Sequence, residues 1–241
     1  MTTPSRSATA TRVYARLGLS LGTSTLLDNQ FYQHCNDVGT ELMRAADWPF
    51  LRKLCTVTTV SGTATYTINS GTGATEYTCD RLMADVQYDA TNQWRFVGSI
   101  DEATWYAYQF GVMTEPIRRI WRLATKTTIE VFPTPTVSGD TLKVPFIAEQ
   151  WATNSGVTAY QKELSAAGDL HLFDWDLFDL QAQWRFMESL GLDYAVTLKR
   201  ATDTLDQRVA ALRNTGTLSL RPRGGRRLIS NANVPDTGYG V

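Results

Sequence analysis

The chain is 241 residues long, enough for one large domain or two modest ones and for a sizeable core. Apolar residues make up 43%, an ordinary globular share, and the net charge of −1 is unevenly spread: residues 1–22 carry Arg6, Arg12 and Arg16 and no acid, residues 215–241 carry four arginines against Asp236, and the stretch between holds −7. Three cysteines (Cys35, Cys55, Cys79) without a C-x-x-C pair exclude a disulfide scaffold and fit a reducing cytosol, and the lack of any apolar run near about 20 residues excludes a membrane-spanning helix.

In chain order, the first residues are Thr/Ser-rich and lack the apolar run of a signal peptide, so the protein is expected to be made and used in soluble form. Thr9 to Gly18 predicts a short helix with a threonine cap and a glycine stop. From about Leu26 to Ala46, the spacing of Leu27, Phe31, Cys35, Val38, Leu42 and Ala46 gives one apolar stripe. Ser24 or Thr25 can cap that helix, with Asp28 in its first turn. It runs into Asp47-Trp48-Pro49-Phe50-Leu51. The residue before a proline is pushed out of the α region, so the helix should stop there. Trp48, Pro49 and Phe50 are expected to form a buried structural hinge between a helical part and a β part.

After Cys55 the period changes to two. Thr56–Val60 and Thr63–Ile68 around Ser61-Gly62 predict a β-hairpin, and Asn69 to Gly73 a plain turn without the P-loop pattern. A second hairpin is expected from Leu82–Tyr88 and Gln93–Val97, and then a short helix from Asp101 to Phe110. Ile117–Leu123, Thr127–Phe132 and Thr141–Ala148 predict three more strands, so the segment suggests a sandwich or partly open barrel.

Helical signals return after Trp151. Asp174 and Asp176 are cap candidates for a helix to Leu190, with a stripe of Leu177, Leu180, Trp184, Met187 and Leu190, stopped by Gly191. Asp193 starts a second helix with the stripe Tyr194, Leu198, Ala201, Leu205, Val209 and Leu212. The pair should fold as an antiparallel hairpin and close on the 26–46 helix. The predicted fold class is therefore α+β. A helical bundle from 23–54 and 150–214 holds an inserted antiparallel β lobe, 55–149. An N-terminal arm with a short helix, 1–22, precedes it, and an extended C-terminal tail, 215–241, follows.

Enzyme motifs are missing. His34 and His171 sit in no Cys/His cluster, so neither a metal nor another cofactor is expected. His34-Cys35 resembles a nucleophile–base dyad, but helical neighbours point about 100° apart, and Cys35 lies on the core stripe. The carboxylates Asp101, Glu102, Glu115, Asp174, Asp176 and Asp179 could supply a glycosidase pair, but any soluble protein has such acids. The most specific charged motif is Arg221-Pro222-Arg223-Gly224-Gly225-Arg226-Arg227. Its arginines (Arg221, Arg223, Arg226, Arg227) can dock on an acidic protein surface or on nucleic-acid phosphates, or simply be solvated.

Several motifs in order resemble the head-to-tail adaptor proteins of tailed bacteriophages, especially short-tailed ones. They are Asp47-Trp48-Pro49-Phe50-Leu51, the Val57–Ile68 run, Glu115-Pro116-Ile117, and Thr128-Ile129-Glu130-Val131-Phe132-Pro133-Thr134-Pro135. The last is the helix–glycine–helix turn from Trp184 to Ala195. The similarity spans roughly residues 12–214. It departs at Met113-Thr114, where the family often has glycine, and at Asp80-Arg81, where a proline turn is common.

The resemblance implies a structural virion protein at the head-to-tail interface, assembled in the host cytoplasm. It implies a homo-oligomeric, twelve-fold ring below the portal protein that extends the channel for double-stranded DNA and carries the tail nozzle or tail tube. The tail arginines would then contact the portal or a neighbouring subunit. An acidic body would let DNA slide past, since like charges repel. Two other functions stay open: a nucleic-acid-binding module using the arginine-rich tail, and a muralytic enzyme.

Overall fold

The computed structural model describes residues 5–20, 22, 24–71, 73, 76–83, 86–113 and 118–213. It is a mixed α+β fold with five helices and several antiparallel sheets among these residues. The N-terminal helices are α1 (Arg6–Leu17) and α2 (Thr25–Ala45); α3 (Glu102–Gln109) lies among the strands; α4 (Trp175–Ser189) and α5 (Ala195–Arg213) follow. α1 begins at a Ser5 cap, whose hydroxyl accepts from the Ala8 N–H at 3.2 Å, and ends at Gly18 with φ 70°. Thr9 therefore lies inside the helix, and the expected threonine cap is replaced by Ser5. Ala10, Val13 and Tyr14 of α1 pack with Phe31, Cys35, Val38 and Leu42 of α2 and with Phe178, Ala182 and Phe186 of α4 in one core.

The strands are β1 (Arg52–Thr58), β2 (Thr65–Thr67), β3 (Asn69–Ser70), β4 (Tyr77–Leu82), β5 (Tyr88–Asp89), β6 (Trp94–Arg95), β7 (Ile120–Thr125), β8 (Thr128–Phe132), β9 (Thr141–Ala148), β10 (Ala152–Thr153), β11 (Tyr160–Gln161) and β12 (Leu170–His171). β9 is the central strand of the largest sheet. Thr141 to Ile147 pair with β1 on one side; β4 and β5 share the other side, extended by β3 and β6. Pro145 has no N–H to give a ladder. It is tolerated in this central strand because its carbonyl still accepts from the Met83 N–H just past β4, while the Met83 carbonyl takes the Gln87 side-chain N–H instead. β2, β8 and β7 form a second sheet, and β11, β10 and β12 a third. Alternation in β9 sends Leu142, Val144, Phe146 and Ala148 into a second core with Cys55, Val57, Ile68, Ile129 and Val131, while Ile147 points the other way into the helical core.

Other expectations also change. The runs 56–60 and 63–68 do not form a hairpin with each other: β1 pairs with β9, and β2 with β8. Residues 69–70 are a strand paired with β4, not only a turn, and β4 itself carries no clean alternation in sequence. In α4 the core face is Leu177, Phe178, Asp179, Ala182 and Phe186. Leu180, Trp184 and Met187 of the expected stripe are half-buried on the side that meets α5, where the Trp184 and Tyr194 rings are 6.2 Å apart. α5 thus packs chiefly on the far face of α4, and its Leu205 and Leu212 also pack against the helical core.

Candidate functional site

The hinge joins the two cores. α2 ends at Ala45, and its last four carbonyls have no helical partner. The Trp48 indole N–H donates to the Leu42 carbonyl at 2.6 Å, and Arg81 on β4 donates to the Ala46 carbonyl at 3.0 Å. Trp48 holds an extended backbone before Pro49, which opens a single 3-10 turn, Pro49–Leu51, directly into β1. Trp48 is 7% exposed. Its ring stacks on Phe50 at 6.1 Å and meets Phe173 edge-on at 5.6 Å. The expected hinge residues Trp48, Pro49 and Phe50 are thus brought together, with Phe173 as the contact no local pattern announces.

Beside the hinge opens a cleft of about 360 Å³ lined by Arg44, Asp47, Arg52, Arg81, Val209 and Leu212. Arg81 grips Asp47 Oδ1 with Nε at 3.2 Å and Nη2 at 2.8 Å, and its Nη1 meets Asp80 at 2.9 Å. Arg52 donates to the Asp47 carbonyl at 3.1 Å.

A second polar cluster is buried where α1, β12 and α4 meet. Asp179 is fully buried and accepts from Arg12 Nε at 2.5 Å and Nη2 at 2.9 Å. The hydrogen bond to Asp179 raises the Arg12 guanidinium pKa against the opposing effect of burial. Arg12 also donates to the Thr9 hydroxyl at 3.2 Å. The His171 ring stacks on Phe178 at 3.9 Å. A carbonyl can only accept, so the Phe173 carbonyl 3.1 Å from His171 Nδ1 places the proton on that nitrogen. Nε2 then accepts from Thr9 Oγ1 at 3.4 Å. Burial, with a smaller effect of nearby Arg12, lowers the His171 pKa to about 3, so the ring is neutral near pH 7.

These groups are committed to packing. Cys35 is fully buried, and burial pushes its thiol well above the usual range, so it stays protonated. Burial likewise pushes the Cys79 thiol up to about 12. Asp101 caps α3, accepting from the Thr104 N–H at 2.9 Å. Asp174 is the N-cap residue of α4, yet its side chain makes no cap bond and instead pairs with Arg208 at 2.7 Å. Asp179, one of the carboxylates weighed for glycosidase chemistry, is held by Arg12. Among the described residues, no group of three or more His, Cys, Asp or Glu side chains is placed to hold a metal ion. Among them, too, no helix is long and apolar enough to cross a membrane.

Arg221, Arg223, Arg226 and Arg227, as well as Glu115-Pro116-Ile117, lie outside the described residues. The Arg12–Asp179 pair had no sequence signal beyond a lone acid on an otherwise apolar helix face. Compared with known proteins, the chain matches no family model and no curated protein.

Proposed function

We propose that the chain is a structural, non-catalytic virion protein: a head-to-tail adaptor that forms a ring below a portal, extends the DNA channel and carries the tail nozzle or tail tube. The observation that carries this proposal is an order of features. A helix capped by the Trp48 hinge leads straight into a β-rich segment, and a helix–Gly191–helix hairpin follows. The resemblance to such adaptors rests on that order. In its finer form the proposal takes 23–54 and 150–214 as a helical bundle that also carries the small β11–β10–β12 sheet, 55–149 as an inserted β lobe and 215–241 as an extended tail. Charge supports it as well: a middle of −7 suits a wall past which DNA slides, and the basic end suits an acidic docking partner.

The arginine run also supports a second function, binding of nucleic acid through phosphates. One experiment separates the two. The purified protein is imaged by negative-stain electron microscopy alone and after mixing with its portal, and its DNA affinity is measured across a salt series. Rings on the portal face with little DNA affinity support the adaptor. A monomer that ignores the portal and binds DNA with a steep salt dependence overturns it in favour of the second function.

A further inference from the structure

α3 ends in an ordered apolar knob. Gly111, with φ 71°, closes the helix by donating to the Tyr108 carbonyl at 3.2 Å, and the Val112 N–H donates to the Ala107 carbonyl at 2.9 Å. In this kind of helix stop an apolar residue after the glycine frequently packs back on the last turn. Val112 instead stands 79% exposed, with Phe110 at 76% and Met113 at 44%. The Phe110 ring stacks on that of exposed Tyr106 at 5.8 Å. Residues 103–114 contain no charged side chain. Exposed apolar groups gathered at one tip mark a contact surface.

A matching cavity opens on the other side of the same sheet. Side chains alternate along β7 and β8. Ile120, Arg122, Glu130 and Phe132 share the face that carries α3: the Arg122 guanidinium lies 5.0 Å over the Trp105 ring, and the Phe132 ring is 6.0 Å from it. Trp121 and Leu123, paired with Val131 and Ile129, face the opposite way. There, with Leu82, Met83 and Gly98, they line a mainly apolar cavity of about 450 Å³, ample for an aromatic ring. Leu123 is left 45% exposed. Asp80, Arg81 and Lys126 line the cavity too, but they neutralise one another: Asp80 meets Arg81 at 2.9 Å and Lys126 at 3.1 Å. An uncharged guest therefore strands no charge there.

We infer that knob and cavity are the two halves of a head-to-tail contact between copies of the chain. The Phe110–Met113 tip of one molecule enters the cavity lined by Leu82, Trp121 and Leu123 of the next. Both halves belong to one chain, so a second copy supplies the missing partner of each. They lie on opposite faces of one sheet, so a molecule cannot fill its own cavity. Each added copy then leaves one free knob and one free cavity, and growth ends only where a ring closes. As the subunit contact of a ring the inference rests on the adaptor proposal; as self-association it stands on the two surfaces alone.

The test is sedimentation velocity of the full chain over a concentration series. The wild type is expected to form oligomers larger than a dimer. Phe110→Asp spoils the knob and Leu123→Asp the cavity. Both positions are exposed, so each variant should keep its melting temperature and associate at least about tenfold more weakly. Each variant still has one sound half. An equimolar mixture of the two should therefore form a dimer of one copy of each, and nothing larger. Should Leu123→Asp fail to fold, Leu123→Thr takes its place, since threonine keeps strand propensity. A wild type that stays monomeric, self-association unchanged in either variant, or a mixture without the mixed dimer overturns the inference. Phe110→Asp that leaves self-association intact but abolishes binding to phosphatidylcholine vesicles overturns it in favour of a lipid surface. Oligomers that meet these conditions without binding a portal keep the inference and sink the adaptor proposal; portal-bound rings that survive both variants do the reverse.

Discussion

The outer end of the Trp151 indole lies against Gly39: a Cβ built on Gly39 would stand 2.2 Å from two ring carbons of Trp151. Gly39 sits in the middle of α2, where alanine is intrinsically better by about 1 kcal/mol. The contact decides the sign. Trp151 is 1% exposed and is held against Phe173 and Phe178, so its rigid ring has nowhere to move. Gly39→Ala should therefore destabilise by about 1–3 kcal/mol despite its higher helix propensity. A urea unfolding midpoint equal to or above that of the wild type would show that the ring can shift.

Trp48 does two things at once. It fills the hinge, and it satisfies the Leu42 carbonyl. Trp48→Ala should cost about 3–5 kcal/mol through the cavity. Trp48→Phe keeps much of the volume and loses the donor, leaving a helix-end carbonyl without its partner; about 1–3 kcal/mol is expected. Thermal melts of the two variants check the order. Equal losses would mean that the hydrogen bond carries nothing of its own.

Much of this fold is legible in sequence wherever a pattern is local. The stripe of α2, the Gly18 and Gly191 stops and the alternation of β8 and β9 follow from spacing alone. Pairing is not local. β1 and β2 sit at hairpin distance, yet β1 finds β9 more than eighty residues on and β2 finds β8 more than sixty residues on, because burying Cys55, Val57 and Tyr66 in the second core outweighs the short loop. The Leu180–Trp184–Met187 stripe is real but belongs to the α5 contact; the central core takes the Phe178–Ala182–Phe186 face, since α4 is apolar on two sides. At the candidate site, the hinge announces itself through Trp48-Pro49. The Arg81–Asp47 pair beside it does not, because it depends on which distant side chains meet in space.

His171 should make the fold sensitive to mild acid. In the unfolded chain its pKa returns to the ordinary value near 6.5; in the folded chain burial holds it near 3. Between those values the unfolded state binds a proton that the folded state refuses, so stability falls as the pH drops through 6.5 towards 3. At pH 5 this group alone should cost about 2 kcal/mol relative to pH 7. His171→Gln, which can still donate to Phe173 and accept from Thr9, should lose that share of the pH dependence. Unfolding curves at pH 7 and pH 5 for both proteins give the comparison, and an unchanged slope in the variant would assign the acid sensitivity elsewhere.

The Arg12–Asp179 pair is asymmetric. The Asp179 side chain is fully buried, and that of Arg12 is 32% exposed. Removing the arginine strands a buried carboxylate; removing the acid leaves a cation that can still reach water. Arg12→Ala should therefore cost about 3–5 kcal/mol, and Asp179→Ala less. The double variant should be less damaged than the sum of the singles, because the stranded charge is gone. A double-mutant cycle by urea unfolding measures this. Additive losses would mean that the pair contributes through packing alone.

The last prediction separates folding from assembly. The residues of both cores named above all precede position 214, so truncation after Gly216 should leave the melting temperature nearly unchanged. The segment removed carries Arg221, Arg223, Arg226 and Arg227, whose planar guanidinium forks pair with carboxylates two bonds at a time. If these arginines hold the portal or a neighbouring subunit, the truncated protein stays folded and fails to form the complex on size exclusion and under the microscope. Charge reversal of the four arginines to glutamate, with the backbone intact, should reproduce that loss. A truncated protein that assembles as stably as the full chain would remove the arginines from the docking surface and leave contacts among residues 5–213 as the source of assembly.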